Sequence, residues 1–248
     1  VGRAYQAQGE APPWEEVRNR ADGSEFKRGR IPAWGLLVTV GVDVQKDRVE
    51  WQAVAWSRDG RRAIIDHDTI AGHVTDDTCR EGLDRLLRAT WRHASGRDIG
   101  VDMLAIDGNA WTEDVFGWVR RHPASQVIMV RGVAGDNAPL IAKVQRERSH
   151  RTGKPLKYRS RFFNFGTSVL KMAFYRNLLK TDEAERGFVA IPGGMGDEFF
   201  KQLTAERRVS RKKRDGFTDY RWEKHYEANE ALDTHLQAEA AAIKFGIR

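Results

Sequence analysis

Cysteine is almost missing from this chain: Cys79 is the only one in 248 residues. That excludes an intrachain disulfide and a thiolate zinc site, and it fits a reducing compartment. No apolar run approaches the roughly 20 residues of a membrane-spanning helix, and no secretory leader opens the chain, so no membrane partner is expected. His67, His73, His93, His122 and His150 show no zinc-ligand spacing. No Ser-His-Asp order stands out. Gly153-Lys154 is followed by Pro155, so that stretch makes no phosphate-cradling P-loop. Acidic residues are outnumbered: 35 Asp and Glu face 42 Lys and Arg, a net charge of +7, which favours a polyanionic partner. The chain opens on Val1 and not on methionine, as expected of a piece of a longer protein.

What is present is organised around residues 36–45. They are mostly β-branched or aliphatic and lack proline, which predicts a strand. Side chains alternate faces along a strand, so Val38, Val40, Val42 and Val44 share one face, and Leu37, Thr39, Gly41 and Asp43 the other. Both faces are largely apolar, as in a central strand covered on both sides. Asp43 then ends a buried strand, where an uncompensated carboxylate costs several kcal/mol. Something positive is expected to meet it.

Residues 1–33 are polar and rich in Gly, Pro and charge. They read as a linker arm, with one short helix at 14–20, that tethers a domain outside this chain. Residues 34–248 read as one domain. Strands at 36–45, 48–57 and 63–70 form an antiparallel meander, with turns at Lys46-Asp47 and Arg58-Asp-Gly60. Thr75 or Asp76 caps a helix reaching to about 91, with Cys79, Leu83, Leu86, Leu87 and Thr90 on one stripe. A fourth strand, 101–107, ends in Asp107. Thr112 caps a helix at 113–121, and a fifth strand at 126–131 suggests a parallel crossover. Residues 132–165 form a long basic insertion whose end, 158–165, reads as a hairpin arm. Helices at 167–178 and 197–205, a short strand at 188–191, a basic run at 207–214, a strand at 218–223 and a helix at 227–244 complete the chain.

A meander, a helix and then parallel strands with further helices is the ribonuclease H topology. The expected fold is therefore α/β: a ribonuclease H-like mixed sheet of three antiparallel strands followed by parallel strands, with helices on both faces. There the first and fourth strands are central neighbours, so Asp43 and Asp107 would lie side by side and a late helix could bring Asp233 to them. Magnesium is typically held by one or two carboxylates plus substrate phosphate, and two such ions can clamp an in-line displacement. The expectation is a pair of Mg²⁺ or Mn²⁺ ions on Asp43, Asp107 and Asp233, cutting double-stranded DNA. Each residue also has a local reading: Asp43 as the start of a turn, Asp107 as part of a turn with Gly108-Asn109, and Asp233 as a carboxylate complementing a helix dipole. Asn229, four residues before Asp233, shares its face and either caps the helix or orients Asp233. Glu230 either supports a metal indirectly or lies on a solvated face. His225 is a supporting candidate near the scissile phosphate. Lys143, Arg146, Arg148, Arg151, Lys154, Arg211, Lys212 and Lys213 are expected to neutralise DNA phosphates. The alternatives are another ribonuclease H-like nuclease, such as a transposase or junction resolvase, and a non-catalytic docking module.

Gly41-Val-Asp-Val-Gln-Lys-Asp-Arg-Val-Glu50, followed by Ala55-Trp56, resembles the nuclease domain of the large terminase subunit of lambda-type tailed bacteriophages. Ala105-Ile-Asp-Gly108 with Thr112 resembles that family's second acidic strand, and Asn229-Glu-Ala-Leu-Asp233 its third acidic motif. Gly9-Glu-Ala-Pro-Pro-Trp14 resembles the segment joining its packaging ATPase to the nuclease. The second motif departs from the pattern, with Asn109-Ala110-Trp111 where a small residue and another glycine would be expected. The resemblance implies a metal-dependent endonuclease that cuts concatemeric viral DNA into genome units in the host cytoplasm. It further implies ATP used only by the N-terminal motor, and a small terminase subunit and portal protein as partners. Paired nicks on opposite strands would suit a dimer on DNA.

Overall fold

The structure, a computed structural model, describes residues 11–144, 153–154, 158, 161–212 and 218–247. The chain begins with α1 (Trp14–Asp22) and β1 (Arg30–Ile31), followed by the meander β2 (Leu37–Val44), β3 (Arg48–Trp56) and β4 (Arg62–Ala71). Next come α2 (Asp77–Leu87), β5 (Thr90–His93), β6 (Asp98–Gly100), β7 (Met103–Asp107), α3 (Thr112–Val119) and β8 (Val127–Val133). The second half contains β9 (Ala142–Lys143), β10 (Phe162–Gly166), α4 (Thr167–Leu178), β11 (Val189–Ala190) and α5 (Asp197–Leu203). It closes with the hairpin β12 (Glu206–Lys212) and β13 (Thr218–Lys224) and the long helix α6 (Glu230–Phe245).

Among the described residues the main sheet has eight strands in the order β11-β4-β3-β2-β7-β8-β10-β9. β2, β3 and β4 are antiparallel, whereas β7, β8 and β10 continue parallel from β2. This is the ribonuclease H-like order expected from the sequence. β2 is buried at every position, as its two apolar faces require. One face carries Val38, Val40, Val42, Leu104, Ile106 and Met129 into a core with α2 and α3. The other carries Met103, Ala105, Ile128 and Val130 into a core with α1, α4, α5 and α6.

Three expectations change. The helix reaching to 91 stops at Leu87, because Thr90 and Trp91 pair as β5 with β1 and β6 and bury the indole in the core. β10 is more than a hairpin arm: its long pairing is parallel to β8, and only two residues meet β9 antiparallel. Its aromatics explain this, since Phe162 enters one core and Phe163 and Phe165 the other. Finally, residues 14–31 of the expected arm are built into the domain, with Val17, Ala21 and Ile31 buried.

Helix α6 crosses β2 at very short range. A Cβ on Gly41 would stand 1.9 Å from the Thr234 carbonyl oxygen and 2.6 Å from the Ala238 nitrogen. Thr39 Oγ1 donates to the Ala238 carbonyl at 2.8 Å. An isolated glycine within a strand is the expected mark of such a backbone approach. The helix therefore starts beside Asp43 and runs down β2 with no side chain between the two backbones at Gly41.

Replacing Gly41 with Ala forces the helix off the sheet, and overpacking of this kind costs about 3 kcal/mol. Urea unfolding of Gly41→Ala should show the loss as an earlier midpoint; an unchanged midpoint would contradict the contact.

Candidate active site

Asp43 and Asp107 are brought together by strand register. β2 and β7 pair in parallel up to Val42 opposite Ile106; one further step sets Asp43 beside Asp107 at the strand ends. On its other side Asp43 pairs with Glu50 of β3. Asp233 lies in the first turn of α6, and the Gly41 contact brings that turn to Asp43. Local structure holds each carboxylate. The Asp43 oxygens accept from Gln45 Nε2 and, at 3.4 Å, from Gln237 Nε2. Asp107 accepts the Asn109 amide at 3.3 Å, and the Ala110 amide acts on it too. Asp233 Oδ2 accepts from Asn229 Nδ2 at 3.0 Å.

The electrostatics report an excess of negative charge. Burial pushes Asp107 up to about 7, the charge of Asp43 adds to the shift, and Arg131 opposes it. Burial likewise pushes Asp233 up to about 7; Asp43 again adds, while Lys171 opposes. Asp43 itself is raised by burial and by Glu230, against the hydrogen bonds from Gln45 and Gln237. Asp43 is thus the common neighbour of two carboxylates that resist ionisation. Among the described residues no three His, Cys, Asp or Glu side chains converge on one point as a single-ion site. The donor set instead fits oxygen-seeking divalent cations that take one or two carboxylates each and keep several waters.

The chain matches the family "Terminase large subunit gpA, endonuclease domain" over residues 1–248. It belongs to that family. It is 26% identical over 251 aligned residues to the terminase large subunit of Escherichia phage lambda, covering 97% of this chain and 37% of that one. To the terminase large subunit of Enterobacteria phage P21 it is 25% identical over 220 residues, covering 85% and 33%. The chain therefore spans only about a third of the length of these curated relatives. A solved large terminase nuclease from thermophilic phage G20c, with bound magnesium, is similar at a TM-score of 0.41 and 12% identity, covering 94% of this chain and 97% of that one.

Around the aspartates of this terminase nuclease domain, the supporting candidates separate. Asn229 makes no side-chain capping bond; its amide is used on Asp233, which selects the orienting role. Glu230 is not on a solvated face. Its side chain is 14% exposed, Oε1 lies 3.6 Å from Arg48 Nη2, and its charge acts on Asp43 and Glu50. The groups acting on His225 are Arg207 and Glu206, not the aspartates, and its side chain is exposed. Lys143 sits exposed on β9, Lys154 is exposed, and Arg211 and Lys212 are exposed on β12. Arg146, Arg148, Arg151 and Lys213 lie outside the described residues. The second motif closes without its expected glycine. Gly108 donates to the Val130 carbonyl, Asn109 and Ala110 turn their amides to Asp107, and Trp111 precedes α3 with its ring edge-on to His73.

Several neighbours were missed in the sequence. Gln45 is two residues from Asp43 and Gln237 four from Asp233, spacings that place each on the same strand or helix face. Glu50 is found from the hairpin register alone. Lys171 has no sequence signal, since it comes from a helix more than sixty residues before Asp233.

A carboxylate raised above its unfolded value binds its proton more tightly in the fold, so ionising it weakens folding. Between about pH 4.5 and 7 the metal-free domain should lose stability from these two groups as pH rises, because in the unfolded chain they ionise near 3.8 while the folded Asp107 and Asp233 hold their protons up to about 7. Burial holds His67 down from 6.5 to about 4, which adds stability with rising pH up to about 6.5, a contribution that parent and variants share. The melting temperatures of Asp107→Asn and Asp233→Asn should climb relative to that of the parent across this window; a difference that does not change with pH would contradict the assignment.

Proposed function

We propose that this terminase nuclease domain is a divalent-metal-dependent endodeoxyribonuclease with Asp43, Asp107 and Asp233 as its metal ligands. The observation that carries this reading is the meeting of Asp43 and Asp107 at adjacent strand ends with Asp233 in the first turn of α6, a cluster in which burial raises all three carboxylates. Such a cluster is unfavourable alone and becomes favourable when a cation joins it. When bound, Mg²⁺ or Mn²⁺ ions would lower the pKa of the attacking water and neutralise charge on the departing 3′ oxygen.

The chain's own residues supply binding and orientation. Asp43 would be shared between the other two aspartates. Gln45 and Gln237 hold its oxygens, the Asn109 and Ala110 amides hold Asp107, and Asn229 holds Asp233. Lys143, Lys154, Arg211 and Lys212 supply exposed positive charge for duplex phosphates. His225 would contribute at this DNA-facing rim and not at the metal. Glu230 would act on Asp43 through charge.

For the longer protein, the proposal is cutting of concatemeric phage DNA into genome units by two-metal hydrolysis in the host cytoplasm. ATP would serve only an N-terminal motor, with a small terminase subunit and portal as partners. Paired nicks would suit two copies on one duplex. No described helix is long and apolar enough to cross a membrane. Family membership sets aside the transposase and junction-resolvase alternatives, while the docking-module reading is met by experiment.

Asp43→Ala, Asp107→Asn and Asp233→Asn should each reduce Mg²⁺- or Mn²⁺-dependent plasmid nicking by at least about 100-fold, with circular dichroism unchanged. Retained nicking in all three would reject the site. Arg211→Ala with Lys212→Ala should weaken duplex binding and lower the slope of log affinity against log salt by about 2, one unit per phosphate contact. An unchanged slope would remove this strand from the DNA path.

A further inference from the structure

A buried ion pair stands directly behind Asp233. Both oxygens of Glu206, on β12, lie 2.7 Å from Lys171 Nζ, on α4. The two residues are 6% and 7% exposed. Desolvating two charges offsets most of their attraction, and an apolar pair of similar volume is often as stable or more so. Stability therefore gives little reason for Lys171 and Glu206.

Their connections give a better one. Asn229 Nδ2 donates to Glu206 Oε1 at 2.9 Å and to Asp233 Oδ2 at 3.0 Å. On its other side, Asn229 Oδ1 accepts from Lys224 Nζ at 2.6 Å, from β13. A lysine can only donate and an ionised carboxylate can only accept. Lys224 therefore fixes which end of the amide is oxygen, and Glu206 fixes where the nitrogen points. Asn229 is itself 6% exposed and its bond to Glu206 is buried, while Lys224 reaches it from the exposed side. Lys171, Glu206 and Lys224 come from three different elements, and all their constraint converges on one oxygen of Asp233.

We infer that Lys171, Glu206 and Lys224 are positioning residues that set the Asp233 carboxylate, through Asn229, for the divalent cation. The inference rests on the metal-ligand role proposed above for Asp233. The relay restricts the carboxylate before a cation arrives, so less ordering is left to accompany binding. Removing such an outer hydrogen-bond partner typically weakens metal affinity about 10- to 100-fold.

The test uses the 248-residue chain, with Mn²⁺ as the probe. Lys171→Met combined with Glu206→Leu removes both charges and leaves neither one buried alone. Asn229→Ala removes the final link without touching the ion pair, and it provides the answer if the double variant does not fold. Mn²⁺ binding is read by titration calorimetry, and plasmid nicking is read against Mn²⁺ concentration. In each folded variant the Mn²⁺ dissociation constant should rise about 10- to 100-fold. The Mn²⁺ concentration for half-maximal nicking should rise by the same factor, with the rate at saturation falling less. Asp233→Asn serves as the reference. If it weakens Mn²⁺ binding while the relay variants bind as the parent does, the relay is overturned and the metal site stands. If Asp233→Asn also binds Mn²⁺ as the parent does, the metal-ligand reading falls, and the inference with it.

Discussion

Asp43 stands between Asp107 and Asp233 where burial has removed the water that would screen their charges, and both neighbours are pushed up to about 7. In isolation this is an unfavourable arrangement, since buried like charges raise one another and one or more stay protonated near neutrality. The fold nevertheless brings the three together by unrelated means. Parallel pairing of β2 with β7 sets the first two side by side. The third arrives on α6, and α6 can lie close enough because Gly41 presents no side chain to the Thr234 carbonyl. Strain that survives at one place while the surrounding packing is regular marks a functional site more often than an accident of folding.

The surroundings share the task of managing that charge. Amide nitrogens from Asn109, Ala110, Gln45, Gln237 and Asn229 meet the carboxylates with partial charges. Full positive charges stay one step back: Lys171 is paired with Glu206, Lys224 is bound to Asn229, and Arg48 lies between Glu50 and Glu230. A lysine in direct contact with Asp43 would fill the role proposed for a cation. Neutral donors in contact and paired charges behind them leave the negative potential available to an ion in solution.

Much of this was legible in the sequence, for physical reasons that can be named. The valine run of β2 could only be a two-sided strand, and its register fixes Asp43 at the end. The meander turns at Lys46-Asp47 and Arg58-Asp-Gly60 lie where the β2–β3 and β3–β4 pairings end. The turn signal after Asp107 also corresponds to real geometry, because the same backbone amides that make the turn also hold the carboxylate. Errors arose where tertiary partners overrode local pattern. Thr90 and Trp91 continue a helical stripe in sequence, yet β1 and β6 are available to pair with them. The basic run at 207–214 was read for its charge alone; β12, which includes its first half, opens on a buried Glu206 that no periodicity singles out. Glu230 has the spacing of a surface residue, and only the position of Arg48 shows that it faces the site. Lys171 is invisible for the same reason: contacts between distant elements leave no local trace.

The central claim is that the charge gathered at Asp43 is there to be answered by divalent ions. An anomalous difference map from a crystal of this domain soaked in Mn²⁺ tests it most directly. The account predicts manganese peaks within bonding distance of the Asp43 oxygens, with Asp107 and Asp233 completing the carboxylate ligands. A map with no peak at Asp43, at a Mn²⁺ concentration that supports nicking in solution, would contradict it.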